Sequence, residues 1–301
     1  MAPGVNLNRD EIRRAAKRLQ GKVIRTKIIP VAHRLSLKLE SEQHSGSFKA
    51  RGAMNAMLSS DVGSDGVVAA SGGNHGAAVA WAARTLGYQS NIFVPSIISQ
   101  SKLERLQSYG AQIHVVGAEY QESLEAARSF QKGRTCVELH AYDQPEIVLG
   151  AGTIAMEIDS QVAAATTIIV ACGGGGLAGG LATWWKDSKR LVLVETEGTQ
   201  TFARSLAAGE PVDVDVSGVA ADSLGARRLG EIGWQALADS KAESCIVNDD
   251  EVKEAQAELF NKFDVVAEPA ASAGYAALRT GRVQVNDTEN CVLIVCGSNT
   301  K

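Results

Sequence analysis

The sequence lacks almost everything that would mark an unusual environment. Its five cysteines, Cys136, Cys172, Cys245, Cys291 and Cys296, form no CxxC pair and leave an odd count. That argues against a disulfide framework and against the ligand spacing of a structural zinc site. There is no long hydrophobic run either. The longest, around Val162 to Cys172, holds two threonines and is far too short to span a bilayer. A secretion signal is not expected, because Arg9, Asp10, Glu11, Arg13 and Arg14 place charge where an apolar core would have to lie. Basic residues are not in excess. The net charge of −4 gives no electrostatic basis for partnership with nucleic acid or an anionic membrane. These absences point to a cytoplasmic protein.

What remains is ordinary in bulk and informative in pattern. Hydrophobic residues make up 45% and charged residues 21% of the chain, as in a soluble globular protein. Aromatics are only 5%, whereas Ala and Gly are plentiful, as expected where helices lie close against a sheet. A length of 301 residues suits one large or two modest domains. Residues 8 to 20 read as an amphipathic helix, with Asn8 as cap, Ile12, Ala15, Ala16 and Leu19 on one face and Gly21 as the stop. An alternating strand follows at 35–39. Short apolar strands are then expected at 66–70, 91–94, 112–116, 135–139, 166–172, 190–195, 243–247 and 291–296. Helices are expected at 48–58, 74–87, 101–109, 119–132, 144–159, 177–187, 249–262 and 269–280. This alternation predicts an α/β fold with parallel-rich, open twisted sheets and helices on both faces. Such sheets bind ligands beyond the carboxyl ends of their strands. No repeat, low-complexity run or linker divides the chain.

Three strand-to-helix loops draw attention. The first is Ser45-Gly-Ser-Phe-Lys-Ala-Arg-Gly-Ala53. A lysine at a helix start is ordinarily a solvated surface group. Set among small residues, Lys49 is also able to form a Schiff base, because a desolvated amine becomes neutral and nucleophilic where a guanidinium does not. The second is Ser71-Gly-Gly-Asn-His-Gly76. It brings bare amides and a helix N-terminus to one place, suited to a carboxylate, although the same residues are good helix-start chemistry. The third is Cys172-Gly-Gly-Gly-Gly-Leu-Ala-Gly179, with more glycine than a turn needs and amides able to nest around a phosphate.

The third loop supports a rival reading. Gly174, Gly176 and Gly179 fit G-x-G-x-x-G, and Glu195 stands where a ribose-binding acid would end the next strand. An NAD-dependent dehydrogenase explains that loop, but it leaves Lys49 and Asn74 without a task.

The three loops in this order and spacing resemble the fold-type II, tryptophan synthase β-like, pyridoxal-phosphate-dependent enzymes. The similarity is strongest to the threonine and serine dehydratase and serine racemase branch. Supporting segments are Ile-Arg-Thr at 24–26, Gly-Ala-Gln at 110–112, Gly-Thr-Ile-Ala-Met-Glu at 152–157, Glu-Pro-Ala at 268–270 and Cys-Gly-Ser-Asn at 296–299. The resemblance implies two domains with a cleft between them. Residues 1–65 and 145–301 would form a large cofactor-binding domain, and residues 66–144 a small one. It implies pyridoxal 5'-phosphate held by Lys49 as a Schiff base, with Phe48 near the ring and Asn74 on the ring hydroxyl. The amides of Gly173, Gly174, Gly175, Gly176 and Leu177 would hold the phosphate, and Cys296 would face the pyridine nitrogen. Ser71, Gly72 and His75 would border the substrate carboxylate. The implied activity is an ammonia-lyase reaction on a small β-hydroxy amino acid such as L-serine or L-threonine, carried out by a homodimer.

Some positions depart from the family. The segment from Thr26 to Leu37 is short, and Glu40-Ser-Glu-Gln43 stands where Glu-Asn-Leu-Gln is usual. At the family's divalent-metal positions stand Glu195, Thr199 and Thr201; the second acid is missing, so no metal is expected. The sequence stops at Lys301, and a C-terminal regulatory domain is not expected. A racemase or a β-replacement enzyme of the same fold is the alternative function, and a non-catalytic amino-acid-binding module is a third. The racemases this chain resembles carry a serine one residue before the Gly-Asn pair, where this chain has Gly72. Elimination is therefore expected to outrun racemisation.

Overall fold

The computed structural model describes residues 7–299. The first helix, α1 (Arg9–Leu19), begins where Asn8 accepts hydrogen bonds from the amides of Asp10 and Glu11. Strands β1 (Ile28–Ala32) and β2 (Leu35–Leu39) form an antiparallel hairpin, and helix α2 (Lys49–Ser59) follows. The next stretch runs β3 (Val67–Ala70), α3 (Asn74–Leu86), β4 (Ser90–Val94), α4 (Gln100–Ser108), β5 (Gln112–Val115), α5 (Tyr120–Gln131) and β6 (Val137–Glu138). The chain continues through α6 (Pro145–Gln161), β7 (Thr167–Ala171), α7 (Gly176–Trp185), β8 (Arg190–Thr196), α8 (Thr201–Ala208) and α9 (Glu231–Ala238). It closes with β9 (Glu243–Val247), α10 (Asp249–Phe263), α11 (Pro269–Arg279) and β10 (Cys291–Val295).

These strands form two sheets. The larger has the order β1-β2-β10-β7-β8-β9, parallel except at the β1–β2 edge. The smaller, β5-β4-β3-β6, is parallel throughout. The α/β architecture with helices covering parallel sheets is the one the strand–helix alternation predicts. Strands β3, β4, β7 and β10 are buried along their whole length. This is why they read as unbroken apolar runs, not as alternating ones.

The sequence reading misses three elements and overextends one. Strand β1 contains Pro30, which counts against a strand in sequence but is tolerated on a sheet edge where no ladder bond is lost. Helices α8 and α9 have eight residues each, too few turns to show a clear apolar period. The strand expected at 135–139 pairs only at Val137 and Glu138. Among the described residues no helix is long and apolar enough to cross a membrane.

The order of the strands fixes where chemistry can occur. The residues directly after β3, β4, β7 and β10 all line one cavity, at the strand ends where α/β sheets bind ligands.

Candidate active site

The cavity has a volume of about 590 Å³. It takes in every site residue expected from sequence: Phe48, Lys49, Ser71, Gly72, Asn74, His75, Gly173 to Leu177, and Cys296. A backbone turn delivers the lysine. Ser45 and Gly46 both have positive φ (59° and 74°), and the Phe48 amide donates to the Cys296 carbonyl at 3.0 Å. This ties the start of α2 to the end of β10. Lys49 Nζ then donates to the Ala141 carbonyl at 2.6 Å and stands 5.1 Å from the centre of the Phe48 ring. Among the described residues no carboxylate pairs with it directly. Desolvation lowers its pKa to about 8, although the Cys296 thiol and Glu268 pull the other way. Lys49 is thus a partly buried amine with a substantial neutral fraction near physiological pH.

The glycine loop that opens α7 lines the same cavity. Gly175 takes φ +81°, and a β-carbon on Gly174 would lie 2.3 Å from the Tyr142 ring. Neither position accepts a side chain. The loop is pinned from outside, where Thr201 Oγ1 donates to the Gly173 carbonyl at 2.6 Å. The first-turn amides of α7 have no carbonyl four residues back, so they are available to an anion at the positive end of the helix.

Glu195 does not face that anion site. It is fully buried, accepts from the amides of Phe202 (2.7 Å) and Ala203 (2.9 Å), shares the Thr201 hydroxyl (3.0 Å) with the Gly173 carbonyl, and so caps α8. Burial pushes its pKa up to about 7 against those three donors. Its oxygens are committed, and the ribose-binding role that supported a dehydrogenase is withdrawn. The helix it caps is one of those hidden in the sequence.

Asn74 sits in a polar knot. Its Nδ2 lies 2.8 Å from each oxygen of Glu268. Asn299 donates from its own amide to Asn74 Oδ1, and to the Ser45 carbonyl at 3.1 Å. The carboxyl of Glu268 rests on Gly297, where a β-carbon would stand 2.4 Å from Oε1.

The proposed carboxylate loop is less uniform than its sequence suggested. His75 Nε2 meets the Leu139 carbonyl at 2.9 Å, and burial together with Lys49 lowers its pKa to about 3. The ring is neutral, so what His75 offers an anion is its backbone amide at the start of α3. Ser71 Oγ accepts from the Gly73 amide at 3.3 Å. Gly72 faces an apolar wall: a β-carbon there would lie 2.6 Å from Ile98 Cδ1.

Cys296 is buried, and burial with the nearby Glu268 pushes its thiol far above the ordinary range. It is neutral at any physiological pH. A phosphorylated aromatic aldehyde fits this donor set. One cavity brings together an amine, a nest of amides, an amide locked between a carboxyl and a second amide, and a neutral thiol. Gly73 faces open space with nothing within 4 Å of its missing β-carbon, which keeps the cavity clear beside Asn74.

The pyridoxal-phosphate dependent enzyme family matches this chain over residues 22–297. The chain belongs to that family. Among curated relatives, the biosynthetic L-threonine dehydratase of Haemophilus influenzae is 33% identical over 270 residues, covering 87% of this chain. The chain spans 52% of that enzyme's own length. The L-threonine ammonia-lyase of Geobacter sulfurreducens is 32% identical over 296 residues, 94% of this chain and 73% of the relative. Among solved structures, maize serine racemase superposes with a TM-score of 0.91 at 30% identity, covering 98% of this chain and 94% of that one. Family membership makes the chain dependent on pyridoxal phosphate and disposes of the dehydrogenase and of the non-catalytic binding module.

Sequence reasoning missed Glu268, Asn299, Tyr142 and Ile98 as parts of this cavity and its supports. Only Glu268 carried a signal. It is an acid set between Val-Val-Ala and Pro-Ala-Ala, an apolar setting that argues for a buried carboxyl with partners.

Proposed function

We propose that this chain is an ammonia-lyase (dehydratase) that takes a small β-hydroxy amino acid, such as L-serine or L-threonine, to a 2-keto acid and ammonia. The observation that carries the reading is the asymmetry of the cavity walls. Lys49 presents a basic amine on one side, whereas Gly72, without a side chain, lies against Ile98. When bound, pyridoxal phosphate supplies a conjugated ring that accepts the electrons left behind by a departing α-proton. Lys49 would hold the cofactor, and its amine would serve as the base for the α-proton. The amides of Gly173 to Leu177 would hold the phosphate, and Phe48 would lie near the ring. The first amides of α3, with Ser71, would orient the substrate carboxylate. Cys296 would meet the ring nitrogen as a neutral thiol, which would not keep a proton there as an aspartate would and would favour loss of a β-leaving group.

Residues 66–144 act in this reading as a small domain that closes over the substrate and keeps water from the reacting atoms. The dehydratase and ammonia-lyase named above support the substrate class; the racemase shares the fold and is the competing activity. Racemisation needs a proton donor on the second face, and the Gly72 wall provides none. The deciding experiment incubates the holoenzyme with L-serine and with L-threonine and follows keto acid, ammonia and D-isomer together. Keto acid and ammonia should accumulate in step, with D-isomer far slower. D-isomer appearing as fast as keto acid, or no turnover of either substrate, overturns the assignment.

A further inference from the structure

A carboxyl group sits behind the residue assigned to the cofactor's ring hydroxyl, in the middle of the cavity's electrostatics. Glu268 caps α11, is nearly fully buried, and holds Asn74 Nδ2 equidistant from its two oxygens. Asn299 holds the other end of the same amide. Asn74 is therefore fixed at both ends of its amide, and it lines the cavity.

We propose that Glu268 is a positioning residue that acts through Asn74, setting by its own protonation state how strongly the Asn74 amide grips the cofactor's ring oxygen. The inference rests on the reading that Asn74 bonds that oxygen. Its physical basis is simple. An amide NH₂ that donates to a carboxylate becomes a poorer donor through its second hydrogen, and the carboxylate places a negative charge beside an oxygen that is itself electron-rich. A neutral carboxyl does neither.

The groups around Glu268 come from every element packed on it. Lys49 at the start of α2 and Arg105 on α4 stabilise its ionised form, Asp222 opposes it, and the buried Cys296 thiol stands at the end of β10. Burial outweighs the stabilising contacts and raises the pKa of Glu268 to about 7. The neutral form is thus populated where a cytoplasmic enzyme works. Ionisation above neutrality weakens the grip, so cofactor affinity falls as pH rises through this range.

The test measures the cofactor dissociation constant of the holoenzyme, read by its visible absorption on dilution, on either side of neutrality. Comparing wild type with Glu268→Gln cancels the titration of the cofactor's phosphate, which both proteins share; Lys49, whose amine Glu268 itself influences, is separated by the Asn74→Ala variant. Glutamine keeps the bond to Asn74 and cannot ionise. The ratio of wild-type to Glu268→Gln dissociation constants should rise on the order of tenfold from the acid to the alkaline side. A ratio that does not change with pH overturns the proposal. Asn74→Ala, which leaves Glu268 in place, should lose the same pH step; a step that survives there shows that Glu268 does not act through Asn74. Neither readout involves a substrate, so the lyase assignment stands or falls separately.

Discussion

Two cations two residues apart on the same helix have opposite fates. Arg51 is fully buried and meets Glu40 and Glu157 through five contacts of 2.7 to 3.3 Å, counting Thr153 Oγ1. Burial works against its charge, but the two carboxylates outweigh it and raise its pKa above the ordinary value. Lys38 joins the same cluster, with its ammonium donating to Glu157, Gln161 and the Thr26 carbonyl. Lys49, on nearly the opposite face of the helix, has the Ala141 carbonyl as its hydrogen-bond partner and a pKa lowered to about 8. A buried cation with its full set of acceptors is inert and fixes the fold. A buried cation denied an anion loses its proton readily and becomes a nucleophile. The comparison separates support from chemistry inside one motif.

The largest effect should come from removing the unpaired cation. Lys49→Ala should lose turnover by roughly 10³-fold or more, with a melting temperature near that of the parent, because no ion pair is broken. In the cofactor-free chain, condensation of pyridoxal phosphate with Lys49 should speed up as pH rises through about 8. The neutral amine is the reactive form, and it predominates above that value. A rate independent of pH would show that Lys49 is not the group that desolvation has shifted.

Removing the paired cation should do the reverse. Arg51→Ala leaves the carboxylate of Glu40 buried without its cation and Glu157 with Lys38 alone, and should cost about 3–5 kcal/mol in denaturant unfolding. Any folded fraction should turn over at close to the parental rate. Gly174→Ala tests the anion site: the new methyl collides with the Tyr142 ring, and overpacking of this kind costs roughly 1–3 kcal/mol. It should appear as weaker cofactor binding in a titration. The smallest effect is a control remote from both clusters. Asn8→Ala removes the cap of α1 and should lower stability by about 1 kcal/mol, without changing cofactor affinity.

Much of the fold was legible because its signals are local. Buried parallel strands write themselves as short apolar runs, and the loops that follow β3 and β7 announce themselves through Ser71-Gly-Gly and the run Gly173 to Gly176. Lys49 was legible only as a member of that set. The rest depends on contacts far apart in sequence. Asn74 meets Glu268 across 194 residues and Asn299 across 225, and no periodicity encodes such a meeting. Glu195 shows the converse error. Its position after a glycine loop and strand looked like a ribose site, but the amides of the undetected helix α8 had already claimed its oxygens.

The contrast between the two buried lysines is the most direct point of attack. Desolvation lowers the pKa of both Lys38 and Lys49, but the Lys38 amine is held by Glu157, Gln161 and the Thr26 carbonyl, and of the two only Lys49 lines the cavity. Borohydride reduction of the holoenzyme, followed by peptide mass spectrometry, should find the pyridoxyl group on Lys49 and none on Lys38. A pyridoxyl group on Lys38, or on any lysine other than Lys49, would contradict the account.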